Sequence, residues 1–250
     1  MTEKTRSGAQ RSLSVFFPAY NEEDNIGKVT ETAVDVLEEM GVEYEVIIVN
    51  DGSLDRTVEV AEGLARRHAN VRVTHHGRNR GYGAALTTGF TSARYEYIFF
   101  TDGDNQFNVR DLRKFVALLD YSDLVVGFRH RKRYTFFRRV VSFTYNLVLQ
   151  ATFGLPYRDV NCAFKLIPKR LIDQTDISSV QAIVNVELLI NAQRLGLSVT
   201  EIGVTHYPRE AGITTVNPRV VLAAIRELSR FYLKVREEVR GRSYLSKIAS

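Results

Sequence analysis

Short apolar runs alternate with amphipathic stretches through the first half of the chain. Residues 13–17, 44–49, 71–75, 97–101 and 123–128 are rich in Val, Ile, Phe and Tyr. In Glu45-Val46-Ile47-Ile48-Val49 the apolar positions are consecutive, which suits a strand covered on both faces in a parallel sheet. Between the runs, Val29, Ala33, Val36, Leu37 and Met40 recur at three- and four-residue spacing ahead of Gly41, a helix followed by its stop signal. Val58, Ala61, Leu64 and Ala65 repeat the pattern before the third run. Four βα units in succession predict a doubly wound sheet that presents ligands at the carboxyl ends of its strands.

After Phe128 the alternation breaks. The pattern there predicts a helix over 140–153, a turn at Gly154-Leu155-Pro156, a strand over 162–167, a helix over 184–195 stopped by Gly196, and a strand over 197–204. A long helical stripe, Val220, Val221, Ala224, Ile225, Leu228, Phe231, Tyr232 and Val235, runs from 218 to about 240. The chain thus divides into an α/β domain over 1–216 and a basic amphipathic helix and tail over 217–250.

Composition narrows the class. With 250 residues, 44% hydrophobic and 25% charged, the chain has ordinary globular usage, which excludes wholesale disorder and fibrous classes. The single cysteine, Cys162, excludes an intramolecular disulfide framework and implies a reducing compartment. The first residues lack the apolar stretch of a secretory signal. The longest uncharged stretch, between Arg139 and Arg158, is interrupted by Ser142, Thr144, Asn146, Gln150 and Thr152, so it falls short of the roughly 20 apolar residues of a spanning helix. A soluble or peripheral protein is expected.

Net charge is +5, and two patches carry it. Arg129, Arg131, Lys132, Arg133, Arg138 and Arg139 crowd into eleven positions, and residues 205–250 hold nine Lys/Arg against four Glu. Such patches point to phosphate, nucleic acid or anionic lipid. Tyr134, Phe136 and Phe137 interrupt the first, as suits a headgroup boundary.

The chemistry concentrates at the strand ends. The fourth run ends in Asp102-Gly103-Asp104-Asn105-Gln106, two carboxylates at i and i+2. On an extended chain they face one side and repel unless a cation sits between them. Oxygen ligands suit Mg²⁺ or Mn²⁺, Gln106 offers a third oxygen, and a diphosphate would complete the shell. Gly103 lets the backbone approach a bulky ligand. Pro18-Ala19-Tyr20-Asn21-Glu22-Glu23, Asn50-Asp51-Gly52-Ser53-Leu54-Asp55 and Arg78-Asn79-Arg80-Gly81-Tyr82-Gly83 follow the other three strands, so these polar loops converge on one crevice. Asp55 reads as a helix cap.

Taken in that order, Pro18-Ala19-Tyr20-Asn21-Glu22, Asn50-Asp51-Gly52-Ser53, Arg78-Asn79-x-Gly81 and Asp102-Gly103-Asp104 resemble the family 2 glycosyltransferases of the GT-A fold. Gly127-Phe128-Arg129, Arg138-Arg139-x-x-Ser142 and Asp159-x-x-Cys162-Ala163-Phe164-Lys165 look like the branch with dolichyl-phosphate mannosyltransferase and bacterial polyprenyl-phosphate glycosyltransferases. The resemblance covers roughly residues 12 to 215. It implies a Rossmann-like, mostly parallel central sheet flanked by helices, with a C-terminal amphipathic helix. It also implies transfer of a hexose from a GDP- or UDP-linked donor to a polyprenyl phosphate, with inversion, at the cytoplasmic membrane face.

Residue by residue, the resemblance places Pro18, Tyr20, Glu22 and Asp51 on the nucleotide, with Arg78, Asn79 and Gly81 beside them. It places Asp102, Asp104 and Gln106 on the divalent metal. Arg129, Arg138, Arg139 and Ser142 go to the acceptor phosphate, and Arg209 closes over the donor diphosphate. Glu187 matches an acid facing the reaction centre; its spacing with Asn191 and Arg194 also fits a solvated helix face. The sequence departs from the family at Asn50, often Asp, and Asn105, often Leu. It lacks the hydrophobic C-terminal spans of some members, so a small membrane-anchoring subunit is a conceivable partner.

Two other readings stand beside this one: the same fold with a saccharide or small-molecule hydroxyl as acceptor, and a non-catalytic basic subunit. Nucleic acid is not expected as a partner, because a nucleic-acid groove has no use for Asp102 and Asp104. The histidines show no metal-ligand spacing, and His75 and His76 read as structural or loop residues.

Overall fold

The computed structural model describes residues 11–129, 147, 149–175, 177, 183–208 and 231–233. Seven strands form one sheet in the order β3-β2-β1-β4-β6-β5-β7. They are β1 (Ser12–Ala19), β2 (Glu43–Asn50), β3 (Val71–His75), β4 (Tyr97–Thr101), β5 (Leu124–Arg129), β6 (Phe164–Pro168) and β7 (Val199–Val204). β1 pairs parallel with β2 and β4, β2 with β3, and β5 with β7; β6 alone runs against both neighbours. All seven predicted strands are present, with ends shifted by one or two residues.

Alternation in the strands explains the layers. Leu13, Val15, Phe17 and Ala19 of β1 and Tyr97 and Phe99 of β4 bury into one core, together with Val29, Ala33 and Leu37 of helix α1 (Ile26–Met40) and Leu64 of α2 (Thr57–Arg67). Gly41 takes φ 63°, the left-handed stop its position predicts. Phe16, Ile98 and Phe100 point to the other face, where Leu86 and Phe90 of α3 (Tyr82–Ser92) cover them. A short 3₁₀ turn (Val109–Asp111) leads into α4 (Leu112–Leu118) on the first face. The second half adds α5 (Lys169–Asp173) and α6 (Val184–Arg194). α6 contributes Val184, Val186, Leu188, Leu189 and Ile190 to the second core.

The second core is tight where α3 meets β1. Phe16, Phe90 and Phe100 lie with ring centroids 5.0–5.4 Å apart, and a Cβ on Gly89 would come within 2.3 Å of the Phe16 ring. Gly89→Ala should therefore destabilise the protein, although Ala is the better helix former by about 1 kcal/mol, because overpacking a core costs about 1–3 kcal/mol and here displaces a caged ring. A thermal melt should show a midpoint lower by about 5 °C; a rise would mean that the ring yields freely.

The predicted helix over 140–153 is described only at 147 and 149–153, which are helical. Of the predicted stripe over 218–240, Phe231 is buried against Phe153, 5.8 Å between ring centroids, while Tyr232 and Leu233 are exposed; the remainder lies outside the described residues. Among the described residues no helix is long and apolar enough to cross a membrane.

Candidate active site

The strand order reverses direction between β1 and β4, and the crevice at their carboxyl ends is where an open α/β sheet takes its ligand. The β1 and β4 ends touch. Gly103 N–H donates to Pro18 O at 3.2 Å, and a Cβ on Gly103 would meet that oxygen at 2.9 Å and Ile26 Cδ1 at 3.3 Å. Gly103 thus serves the seam between the two loops. Pro18 is buried in that seam.

Asp102 and Asp104 lie in a turn just beyond β4, so strand alternation is not what pairs them. Asn105 turns the chain at φ 57°, a region Asn enters more readily than branched or bulky residues. Asp104 Oδ1 accepts from Gln106 N–H at 3.0 Å. Burial, and then the charge of Asp104, push Asp102 up from 3.8 to about 7, against the Tyr82 hydroxyl, Arg129 and Lys165, which pull it down. A buried carboxyl with a second carboxylate beside it is short of positive charge, and a divalent cation fits that deficit. The Tyr82 hydroxyl donates to Asp102 Oδ1 at 2.9 Å; burial and Asp102 hold it well above its usual 10, so it remains a donor. Gln106 is engaged from the other side: its side-chain Nε2 donates to Tyr207 O at 3.1 Å and its main-chain carbonyl accepts from Tyr207 N–H at 2.7 Å. Only Oε1 of its side chain is left for a ligand. Next to it, Phe107 and His206 form an antiparallel bridge. This pairing brings Tyr207 and Pro208 into a cleft of about 310 Å³ with Asp104, Asn105 and Arg110. Arg209 follows immediately and lies outside the described residues.

A second cleft, about 470 Å³, opens beyond the ends of β1, β2 and β3, lined among others by Tyr20, Asn50, Gly52, His76, Arg78 and Asn79. That is within the range of small-molecule sites. Its walls are stitched together. Asn21 N–H donates to Ser53 Oγ at 3.0 Å, Leu54 N–H to Asn21 Oδ1 at 2.8 Å, and Glu22 N–H to Thr57 Oγ1 at 2.8 Å. Glu22 Oε2 accepts from Asn25 Nδ2 at 2.7 Å. Asp55 Oδ1 accepts from the N–H of Thr57, the first residue of α2, at 3.0 Å, although the N-cap position itself is held by Arg56 and not by Asp55 as expected. Asp51 is buried, and its oxygens accept from Arg80 and Gly81 N–H, each at 2.9 Å. Glu22 and Asp51 therefore spend much of their bonding capacity on the loops themselves.

Arg129 is partly buried at the end of β5, where Asp159 grips it: Nε to Oδ2 and Nη2 to Oδ1, both 2.8 Å. Arg138, Arg139 and Ser142 lie outside the described residues. Beneath this pair Lys165 is fully buried, its ammonium donating to Val160 O at 3.0 Å, to Asn185 Oδ1 at 2.8 Å and to Cys162 O. Burial pushes it down to about 8. Glu187 is 2% exposed, and the neighbouring α6 residues are buried too, so the solvated-face alternative is wrong. Its i, i+4 partner Asn191 is buried as well; only Arg194 of that row reaches solvent.

Tyr82, His76, Asp159 and Lys165 received no role from the sequence. The first two follow Gly81 and β3 in the loop motif, and nothing local marks them. Lys165 sits in an apolar run, and a lysine flanked by Phe164 and Leu166 was the one available sign of a buried charge. Among the described residues no group of three or more His, Cys, Asp or Glu could by itself hold a metal. A cation at Asp102 and Asp104 would therefore draw other ligands from elsewhere.

The mostly parallel α/β sheet has the GT-A fold, as solved structures show. Glucosyl-3-phosphoglycerate synthase from Mycobacterium tuberculosis, crystallised with Mn²⁺, UDP and glucosyl-3-phosphoglycerate, superposes with a TM-score of 0.63 over 83% of this chain and 75% of that one, at 21% identity. The chain belongs to glycosyl transferase family 2, whose model matches residues 14–177. It is 30% identical to dodecaprenyl-phosphate galacturonate synthase of Rhizobium johnstonii over 210 residues, 81% of this chain and 61% of the relative. It is 31% identical to dolichyl-phosphate beta-glucosyltransferase of Drosophila melanogaster over 214 residues, 77% of this chain and 66% of the relative. The chain thus spans less than two thirds of the length of either relative.

Proposed function

We propose that the chain is a metal-dependent glycosyltransferase. It moves a hexose of the mannose or glucose type from a GDP- or UDP-linked donor to a dolichyl- or undecaprenyl-type phosphate, with inversion. The observation that carries this reading is the pair Asp102 and Asp104 just beyond β4 at the β1/β4 switch point, with Asp104 lining a cleft of about 310 Å³. The names of both relatives, each a polyprenyl-phosphate sugar transferase, support the acceptor.

Asp102 and Asp104, with Gln106 Oε1, would hold Mg²⁺ or Mn²⁺, which when bound offsets the charge growing on the leaving diphosphate. Tyr82 keeps Asp102 oriented by donating to it. The cleft holding Tyr20, Arg78 and Asn79 takes the nucleoside. A lipid phosphate is already largely ionised near pH 7, its second pKa being about 6, so it needs positioning and not a general base. Arg138, Arg139 and Ser142 are proposed for that task, with Arg129 oriented by Asp159. Arg209 is proposed for the donor diphosphate. The basic stretch over 217–250 and the aromatic-rich run around 134–137 would rest on the anionic cytoplasmic face of a membrane, with a small anchoring subunit as a partner.

Mn²⁺, radiolabelled GDP-mannose or UDP-glucose and undecaprenyl or dolichyl phosphate should yield labelled lipid in detergent. No labelled lipid from any common donor, in detergent or in membranes, would remove the acceptor from the proposal.

A second reading keeps the donor and makes the acceptor a hydroxyl, which needs a base, and Glu187 is proposed for that role. Glu187→Gln distinguishes the two: turnover on a hydroxyl acceptor should vanish, whereas lipid-phosphate turnover should fall only about tenfold or less.

A further inference from the structure

His76 lines the 470 Å³ cleft with little of its ring exposed, and no part of the reaction above uses it. Its ring is buried between two partners. Nδ1 lies 2.6 Å from Asp51 Oδ1, and Nε2 lies 2.8 Å from Thr88 Oγ1 on α3. The side chains of His76 and Asp51 are 4% and 5% exposed. Asp51 also accepts from the N–H groups of Arg80 and Gly81. Carboxylate oxygens surrounded this way only accept, so Nδ1 carries the proton toward Asp51.

The segment after His76 is held at a second point. Gly52, at φ +69°, presses so closely on the 78–79 backbone that a Cβ there would lie 2.4 Å from Arg78 C and 2.5 Å from Asn79 N. Asp51 and Gly52 together set the path of residues 78–81, and Arg78 and Asn79 of that path line the cleft. At the far end Tyr82 reaches Asp102. One segment is thus anchored to the cleft by His76 and to the paired carboxylates by Tyr82. The order Thr–His–Asp also matches a nucleophile relay, but Thr88 lines neither cleft.

We propose that His76 is a positioning residue for nucleoside recognition: by orienting the Asp51 carboxylate it fixes the 78–81 backbone as a wall of the cleft. It acts on the nucleoside half of a nucleoside diphosphate and leaves the diphosphate half alone. This rests on the reading that the cleft takes the donor nucleotide, and it assigns the discrimination of nucleoside to a residue that touches none of the phosphates.

Calorimetric titration with Mn²⁺–GDP, Mn²⁺–UDP and Mn²⁺–pyrophosphate separates the possibilities. His76→Gln moves the donor nitrogen away from Asp51 and should weaken the preferred nucleoside diphosphate about tenfold or more, the effect of losing a supporting hydrogen bond behind a ligating group. Pyrophosphate affinity should stay within about twofold of the wild type. His76→Asn places an amide N–H where Nδ1 was and should recover most of the loss. Thr88→Val keeps the ring and its shape, and should weaken the same nucleotide by a smaller factor with the same split. Equal weakening of nucleotide and pyrophosphate, or no weakening in any folded variant, overturns the assignment alone. A wild-type protein that binds neither nucleotide nor pyrophosphate overturns the nucleotide reading, and the assignment with it.

Discussion

Asp104→Asn should abolish Mn²⁺-supported nucleotide binding and lower transfer about 10³-fold, the scale of losing a preorganised electrostatic contact at the reacting centre. The fold should persist, because the variant relieves a repulsion. In the wild type, Asp102 sits at about 7 instead of 3.8, in part because Asp104 is charged. The sign follows. A carboxyl whose proton is held more tightly in the folded state stabilises the metal-free protein below pH 4, and this is lost as pH rises toward 7, at most about 1.4 kcal/mol per unit. Without the Asp104 charge Asp102 moves down, so Asp104→Asn should lose less stability between pH 5 and pH 7.5 than the wild type. Metal binding runs the opposite way: Asp102 must shed its proton, so Mn²⁺–nucleotide affinity should weaken as pH falls below about 7. Calorimetric titrations and thermal melts across pH 5–8 test both slopes. Nucleotide affinity that is flat with pH, or unchanged in Asp104→Asn, would refute a cation held by this pair.

Lys165→Met should give the largest loss of stability. The side chain fits the same space, so the core stays filled and the charge alone is removed. Replacing a buried ion by a hydrophobe can be neutral when its partners go too. Here the partners are Val160 O, Cys162 O and Asn185 Oδ1, and they remain, buried and without their donor. Buried acceptors left unpaired cost about 1–3 kcal/mol each. A total of about 3 kcal/mol or more is expected, or about 6–12 °C in melting temperature for a domain of this size. The same change removes a positive charge that pulls Asp102 down, so the metal-dependent activity profile should shift to higher pH. A melting point equal to the wild type would mean that the three acceptors find water or each other.

Most of the sheet could be read from the chain because its strands are consecutive apolar residues and its loops are not. The paired aspartates were legible for the same reason: two acids just beyond an apolar strand stand out against the run that precedes them. Their geometry was not, since the strand ends at Thr101 and a turn, not strand alternation, joins them. α3 carries little amphipathic signal, because Gly, Ala and Thr fill it and its burial comes from the Phe16 and Phe100 rings it packs against. α6 misled in the opposite way. Its polar positions Glu187, Asn191 and Arg194 follow helical spacing as a wet face would, yet Glu187 and Asn191 are buried.

Local pattern determined the strands, the α1 and α2 helices, the convergence of four loops on one edge and the acidic pair, because each depends on residues within a few positions of one another. Tertiary structure alone decided what those residues touch. Asp51 meets His76 across 25 positions, and Asp102 meets Tyr82 across 20. Whether Glu187 is wet, Arg129 is gripped or Lys165 is satisfied depends on which distant segment packs over it. Periodicity records how often a side chain faces inward and carries no information about which partner it finds there.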